Sequence, residues 1–467
     1  MKTSRLTWVA LLAAMTISAQ KTDRTKPPET AALPPFKLPS IFETALPNGL
    51  RVVLVEDRRF PLVTLRLAFE AGTKFDPKDL PGLSEAVSSL LTEGTKTRTS
   101  RQIAEELAEI GGALRAASGP DGVTLQGSAL AENLAKLLDL AADVSLNASF
   151  PEEEVKLYKA RRTQELLAER SDAAFWADDK ITSVVFGAHP YSRSNPTPES
   201  IEKLERAGLA GFRDVHITPN NGVLILLGAI PGREETLGLI KARFGAWEKK
   251  PLAPRPAPEF PAPARTIKLV DRPGSVQADI RVGRLGVDRA SPDYFPMVVA
   301  NTILGGGASS RMFTNIREKQ GFAYDAHSSL QARKNAGLFT TVTQVRGEVL
   351  EPALNSIIAE LEALVKQPVS ESELRDVKNY LSGNFVMGLE TQAGLATQLS
   401  NMKLLGLPDN YLETFTARIR AVEAPRIQAV AARYMAPDAA SIVVVGDASQ
   451  LAKTLEKFGK VAVEKAE

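Results

Sequence analysis

The chain has 467 residues, room for two or more hydrophobic cores, and its 44% hydrophobic and 24% charged residues exclude a wholly disordered or fibrous protein. Its 57 basic and 55 acidic side chains leave a formal charge of +2, which offers no electrostatic footprint for nucleic acid. No cysteine is present, so disulfides, thiolate zinc sites, cysteine nucleophiles and iron–sulfur clusters are excluded; the three histidines are His189, His216 and His327.

Residues 1–19 predict a secretory signal peptide. Lys2 and Arg5 precede a short apolar run over 6–17, and Ile17-Ser18-Ala19 offers a small-residue cleavage site before Gln20. The run is too short for a bilayer span, and no later stretch reaches the roughly 20 apolar residues of a membrane helix. The mature protein is expected to be soluble, and periplasmic or secreted. Residues 20–40 are polar and proline-rich, which predicts a flexible arm.

Runs 51–55 and 62–69 are rich in β-branched and aliphatic residues and predict strands. Residues 131–144 and 152–170 carry apolar side chains at helical spacing. A second proline-rich stretch, 251–264, predicts a semi-rigid extended linker between segments 41–250 and 265–467. Residues 339–345 read as a further strand. The two segments repeat each other. Phe150-Pro151-Glu152-Glu153-Glu154-Val155 recurs in kind 219 positions later as Val369-Ser370-Glu371-Ser372-Glu373-Leu374, and 219–228 recurs as 437–446. Both helix starts place a turn residue before carboxylates, which suits capping and the helix dipole. The expected fold is α+β: two homologous domains, each a mixed or antiparallel sheet covered by helices.

Three motifs then point to a family. Leu46-Pro47-Asn48-Gly49-Leu50-Arg51-Val52 opens the first segment, and Gly187-Ala188-His189-Pro190-Tyr191 forms a turn within it. Leu304-Gly305-Gly306-Gly307-Ala308-Ser309-Ser310-Arg311-Met312-Phe313, followed by Ile316-Arg317-Glu318-Lys319, is the most specific. In this order the chain resembles the pitrilysin/insulinase family, which includes the mitochondrial processing peptidase. The resemblance implies a processing-peptidase-like fold. Active members carry an inverted zinc motif, His-x-x-Glu-His, on an early helix. Alignment on Gly82-Leu83 and Gly94-Thr95 places that motif at Glu85-Ala86-Val87-Ser88-Ser89. Glu85 and Ser89 stand where the histidines belong, and Ser88 stands where the general base belongs. The family's downstream glutamate ligand corresponds to Glu165. Two carboxylates and a serine lack the nitrogen ligands zinc prefers. Glu165 lies in a charged helical run and reads as a solvated or salt-bridged side chain. No two histidines lie within a helical turn of each other, so none replaces the motif.

Gly111-Gly112-Ala113-Leu114-Arg115-Ala116-Ala117-Ser118 resembles the family's substrate-edge strand, with Arg115 in place of an asparagine. Such a strand still offers its backbone to a peptide. The resemblance also identifies Arg317 and Tyr324, seven residues apart, with a pair that holds the substrate backbone and stabilises the oxyanion. Guanidinium and phenol donors suit that task. Read from the residues alone, the competing account is a surface ion pair for Arg317 and a half-buried Tyr324. The run Gly305-Gly306-Gly307 lacks the lysine of a phosphate loop and reads as a tight turn or a close approach to a peptide.

The motif pattern implies a non-zinc-binding subunit that supplies Arg317 and Tyr324 to a heteromeric peptidase. Zinc is expected in a partner carrying His-x-x-Glu-His, with none in this chain, and the two would close on unfolded peptides. A non-catalytic peptide-binding or structural role stays open as the alternative.

Overall fold

A computed structural model describes residues 37–257 and 259–466. The predicted signal peptide and residues 20–36 of the predicted arm lie outside the described residues. The first half contains strands β1 (Ile41–Ala45), β2 (Arg51–Glu56), β3 (Leu62–Phe69), β4 (Ala113–Ser118), β5 (Val123–Leu130) and β6 (Gly222–Gly228). Its helices are α1 (Leu83–Leu90), α2 (Ser100–Glu109), α3 (Leu134–Asn147), α4 (Glu152–Arg170), α5 (Ala173–Phe186), α6 (Pro198–Glu202), α7 (Arg206–His216) and α8 (Arg233–Phe244). The second half contains β7 (Ile267–Asp271), β8 (Gln277–Gly286), β9 (Ala323–Ala332), β10 (Gly337–Arg346), β11 (Ser441–Gly446) and β12 (Val461–Lys465). Its helices are α9 (Tyr294–Gly305), α10 (Leu350–Lys366), α11 (Glu371–Leu389), α12 (Gln392–Leu405), α13 (Tyr411–Arg420), α14 (Ala424–Tyr434) and α15 (Ala448–Leu455), with a π-helix at Phe313–Lys319.

Each half builds one mixed six-stranded sheet. The orders are β1-β2-β6-β3-β5-β4 and β12-β7-β11-β8-β10-β9. Five strands correspond position by position. The sixth differs: β1 joins antiparallel from the N-terminal side, and β12 joins parallel from the C-terminal side. Central β6 and β11 are buried along their whole length, as continuous apolar runs flanked by strands on both sides must be. β5 alternates instead, turning Val123, Leu125, Gly127 and Ala129 to the core and Gln126 outward. α3 buries Leu134, Leu137, Leu138, Ala141 and Val144, the i, i+3, i+4 stripe read in its sequence. Truncating Leu137 or Leu138, both fully buried, to alanine would cost about 2–5 kcal/mol. α1 starts where the Asp76 carboxylate accepts from the Gly82 and Ser84 amides, both at 2.9 Å. Burial nonetheless pushes the Asp76 carboxyl up to about 6.

The helices α5 and α12 cross between the halves. α5, from the first half, packs on β8 and β11, while α12, from the second, packs on β3 and β6. Ile181, Val185 and Phe186 of α5 share a buried cluster with Leu338 and Val443 of the second sheet. From Lys37 onward the two halves are one packed unit. The described residues of 251–264 carry no helix or strand, but the stretch is anchored. Arg255 grips Glu70 with two hydrogen bonds of 3.0 and 2.8 Å, and Phe260 packs on Phe186 and His189. Gly187, at φ +56, gives this segment room, since a Cβ there would lie 2.5 Å from Pro261.

Candidate functional site

α1 carries Glu85, Ser88 and Ser89, and α4 faces it with Tyr158, Arg162, Glu165 and Glu169. Arg162 occupies the centre of this meeting. Its Nε donates to Glu85 Oε1 at 2.8 Å, and Nη1 and Nη2 both donate to Glu169 Oε2 at 3.1 Å. Arg162 is 6% exposed. Burial lifts the Glu85 carboxyl above its ordinary range, and Arg162 pulls it back down. The Ser88 hydroxyl donates to the Glu85 carbonyl at 2.8 Å within the same helix. Glu165 stays half exposed beside Arg161, 3.5 Å away, as a surface ion pair. Its charge reaches Glu85, but the two carboxylates are not joined. Among the described residues, no three of His, Cys, Asp or Glu are placed to hold a metal. The donor set does not fit zinc: the Arg162 guanidinium sits between Glu85 and Glu169, and no imidazole joins them in a metal-holding group among the described residues.

The histidines lie in three separate places. His189 is buried against Phe260 and Tyr191, its Nδ1 accepts from the Tyr191 amide at 3.1 Å, and burial holds its pKa near 4. His216 is sandwiched by Phe75 and Phe212, and burial again lowers it to about 4. His327 pairs with Asp325 on β9 at 2.6 Å. Arg162 is the feature that motif reasoning missed. Its signal was a charged residue on the buried stripe Val155, Tyr158, Arg162, Leu166.

Arg317 and Tyr324 are brought together. Arg317 lies in the π-helix, anchored by buried Ile316, and Gly321 at φ +63 turns the chain into β9. Such π-helical segments recur at functional positions. The Arg317 guanidinium carbon lies 4.8 Å from the Tyr324 ring centre and 4.5 Å from that of Phe313. Tyr324 is 85% exposed rather than half buried, and Arg317 has no ion pair among the described residues. Tyr324 lines a cleft of about 650 Å³ with Gly321, Asp279 and Gln344. β9 ends its sheet, so its outer backbone edge has no strand partner there. Stacking on Phe313 and Tyr324 stiffens the guanidinium, and both the guanidinium and the phenol are hydrogen-bond donors. Gly305 serves a different purpose. A Cβ there would meet the Ser328 amide nitrogen at 2.2 Å, so the close approach is to the chain's own β9.

Arg115 lies on β4, the outermost strand of the first sheet, exposed and opposite Gln126.

Residues 51–198 match the family described as Insulinase (Peptidase family M16), and residues 203–381 match the Peptidase M16 inactive domain. An uncharacterized zinc protease of Bacillus subtilis is 25% identical over 85% of this chain and 96% of its own length. A probable mitochondrial-processing peptidase subunit beta of Arabidopsis thaliana is 24% identical over 87% and 78%. A crystal structure of a peptidase M16 inactive domain from Pseudomonas fluorescens superposes with TM-score 0.82 at 25% identity. It covers 87% of this chain and 98% of that one. A Helicobacter pylori protease has the same fold, with TM-score 0.82 at 18% identity over 88% and 100%. Sequence, fold and motif order agree: the chain belongs to peptidase family M16.

Proposed function

We propose that the chain is the non-zinc-binding subunit of a heteromeric zinc peptidase. The observation that carries this reading is the Arg317–Tyr324 stack, with Tyr324 exposed beside an unpartnered strand edge and Arg317 paired with no carboxylate among the described residues. A residue pair kept only for stability would gain nothing from that exposure. A peptide laid along β9 would present backbone carbonyls to both donors, which bind an oxygen more strongly as it gains charge. A homologous partner with His-x-x-Glu-His would supply the metal and the general base, because Glu85, Ser88 and Ser89 offer neither here. The pair would close on unfolded peptides, and the signal read over residues 1–19 would place it in the periplasm or outside the cell.

The test is purification of the tagged chain from its native host, with zinc analysis and identification of what elutes. The expected result is a near-equimolar partner carrying His-x-x-Glu-His and one zinc per pair. A lone, metal-free chain would overturn the subunit reading in favour of a non-catalytic peptide-binding role.

A further inference from the structure

The face of the first sheet that α12 leaves uncovered forms a groove of about 530 Å³ beside β4. Its floor is a cross-strand row in register: Arg115 on β4, Gln126 on β5 and Arg66 on β3. Adjacent strands lie about 4.8 Å apart, so the two arginines stand about 10 Å apart and flank the glutamine. Arg66 Nη1 donates to Gln126 Oε1 at 2.9 Å and to Thr397 Oγ1 at 3.0 Å, and Nε donates to Ser400 Oγ at 3.2 Å. All three partners are neutral. Burial under α12 pulls the Arg66 pKa below its ordinary value, with no carboxylate to offset it. Arg115 has no side-chain partner among the described residues. Arg59, at the groove wall, is already held by Asp57 at 2.8 Å. Glu390, the one acidic residue lining the groove among the described residues, turns its backbone carbonyl to Arg59.

The duplication supplies an internal control. Arg281 on β8 is the counterpart of Arg66: each opposes the central strand of its sheet, at Val443 and Ile225 respectively. Arg281 is paired with acid, with Asp178 of α5 at 2.6 Å and Asp279 at 3.8 Å. α5 and α12 are both 14 residues long, and Asp178 and Thr397 are the sixth residue of each. Asp279 and Thr64 each stand two residues before their arginine. Both carboxylates beside Arg281 correspond to threonines around Arg66: Thr397 stands for Asp178 and Thr64 for Asp279.

We propose that this groove is a carboxylate subsite, in which Arg115 and Arg66 receive an acidic group of a peptide laid along the open edge of β4. The inference rests on the reading of this chain as a peptide-holding subunit. It adds a charge preference from the half that lacks the Arg317–Tyr324 pair. A carboxylate entering the row would meet two guanidinium groups and the Gln126 amide, supplying the negative charge that Asp178 and Asp279 supply to Arg281.

The test uses the full chain and three labelled, unstructured peptides of one length, followed by fluorescence anisotropy. One has an internal Glu-Glu and an amidated C-terminus. The second has Gln-Gln and an amidated C-terminus, and the third has Gln-Gln and a free C-terminal carboxylate. The expected result is that a carboxylate-bearing peptide binds about five- to tenfold more tightly than the neutral one. The first and third peptides distinguish a side-chain carboxylate from a C-terminal one. Arg115→Gln and Thr397→Asp should each abolish the preference; Thr397→Asp installs the group that Asp178 already presents to Arg281. Ser372→Asp, which adds the same charge on an exposed turn of α11, should leave it intact. Equal binding of all three peptides, absence of any binding, or a preference that survives both groove variants would overturn the proposal. Arg317→Ala should preserve the preference, so a failed clamp and a failed subsite give different results.

Discussion

In the second half Arg281 is buried under α5 and closed off by Asp178 and Asp279, whereas in the first half Arg66 lies under α12 among Thr397, Ser400 and Gln126. The backbone frame is shared: five strands in the same order, an equivalent crossing helix and the same register against the central strand. A duplicated fold can thus keep its packing while its polar residues diverge. Where the crossing helix brings a carboxylate, as α5 brings Asp178, the arginine under it is structural; where it brings a threonine, as α12 brings Thr397, the arginine is left for a ligand. The grooves differ accordingly. Asp172, Asp279 and Asp325 line the cleft beside Tyr324 with Arg281 and Arg346, while Arg59, Arg66 and Arg115 line the other with Glu390 alone. Tyr324 of the donor pair lines the acidic cleft, and Arg66 and Arg115, which have no carboxylate partner among the described residues, line the basic one.

If chemistry is confined to the second half, its variants should affect turnover without loosening the complex. Arg317→Ala in the reconstituted pair should lower kcat about 100-fold, the scale of losing one donor to a developing oxyanion, with Tyr324→Phe costing about tenfold. Steady-state proteolysis beside co-purification reads both. Unchanged proteolysis in both variants would remove the clamp from the second half and erase this contrast.

The halves also differ in where the charges that lock them together reside. Glu70, at the end of the first sheet, binds Lys74 at 3.1 Å, Arg255 at 2.8 Å and Lys334 of the β9–β10 turn at 2.8 Å. Burial alone would raise the Glu70 carboxyl, but its hydrogen bonds to Arg255 and Lys334 and the charge of Lys74 bring it down to about 2. Because the folded pKa lies below the unfolded one, this stabilisation is full above about pH 4.5 and is lost as pH falls toward about 2. Glu70→Gln should therefore cost about 3 kcal/mol at neutral pH. The gap from the parent protein should close on acidification, as read by denaturant unfolding across pH. A gap that does not depend on pH would assign the loss to packing instead.

Arg162 is the next smaller case. Removing it as Arg162→Met leaves Glu85 and Glu169 facing each other without a cation. Both carboxylates keep partial access to water, so the cost should be about 2 kcal/mol rather than the larger value of a fully buried pair. Thermal unfolding with and without added zinc checks this. Stabilisation of the variant by zinc would show that Arg162 alone keeps the metal out.

The duplicated register, the strands at β2 and β3 and the helix Glu152–Arg170 were open to reading because each depends on local spacing. The helix expected over 131–144 begins at Leu134, after a 3-10 turn over 131–133 that apolar spacing does not distinguish from helix. The exchange of α5 and α12 was hidden for another reason. Periodicity states which face of a helix is apolar, not which sheet that face covers. The motif positions Glu85, Ser88 and Ser89 were visible as substitutions, but the guanidinium between Glu85 and Glu169 is 77 residues away along the chain. The contrast between Asp178 and Thr397 was present in the sequence as the repeat offset. It acquired meaning only once each helix was seen over the other half's arginine.

That contrast can be reversed by exchanging the two residues, and the smallest predicted effect is the most specific. Asp178→Thr removes the carboxylate at 2.6 Å from Arg281, and Thr397→Asp adds one beside Arg66. Because Asp178 is largely exposed, losing it should cost stability only about 1 kcal/mol. The double variant should fold with nearly the parent stability, since each half then carries the polar pattern of the other at one position. Its preference for acidic over neutral peptide should fall about fivefold at the β4 groove. Arg281 should not take over the preference fully, because Asp279 remains 3.8 Å from it and the second cleft keeps its aspartates. Parent-like discrimination in the double variant, measured by the same anisotropy titration, would show that the helix residue does not control access to the arginine.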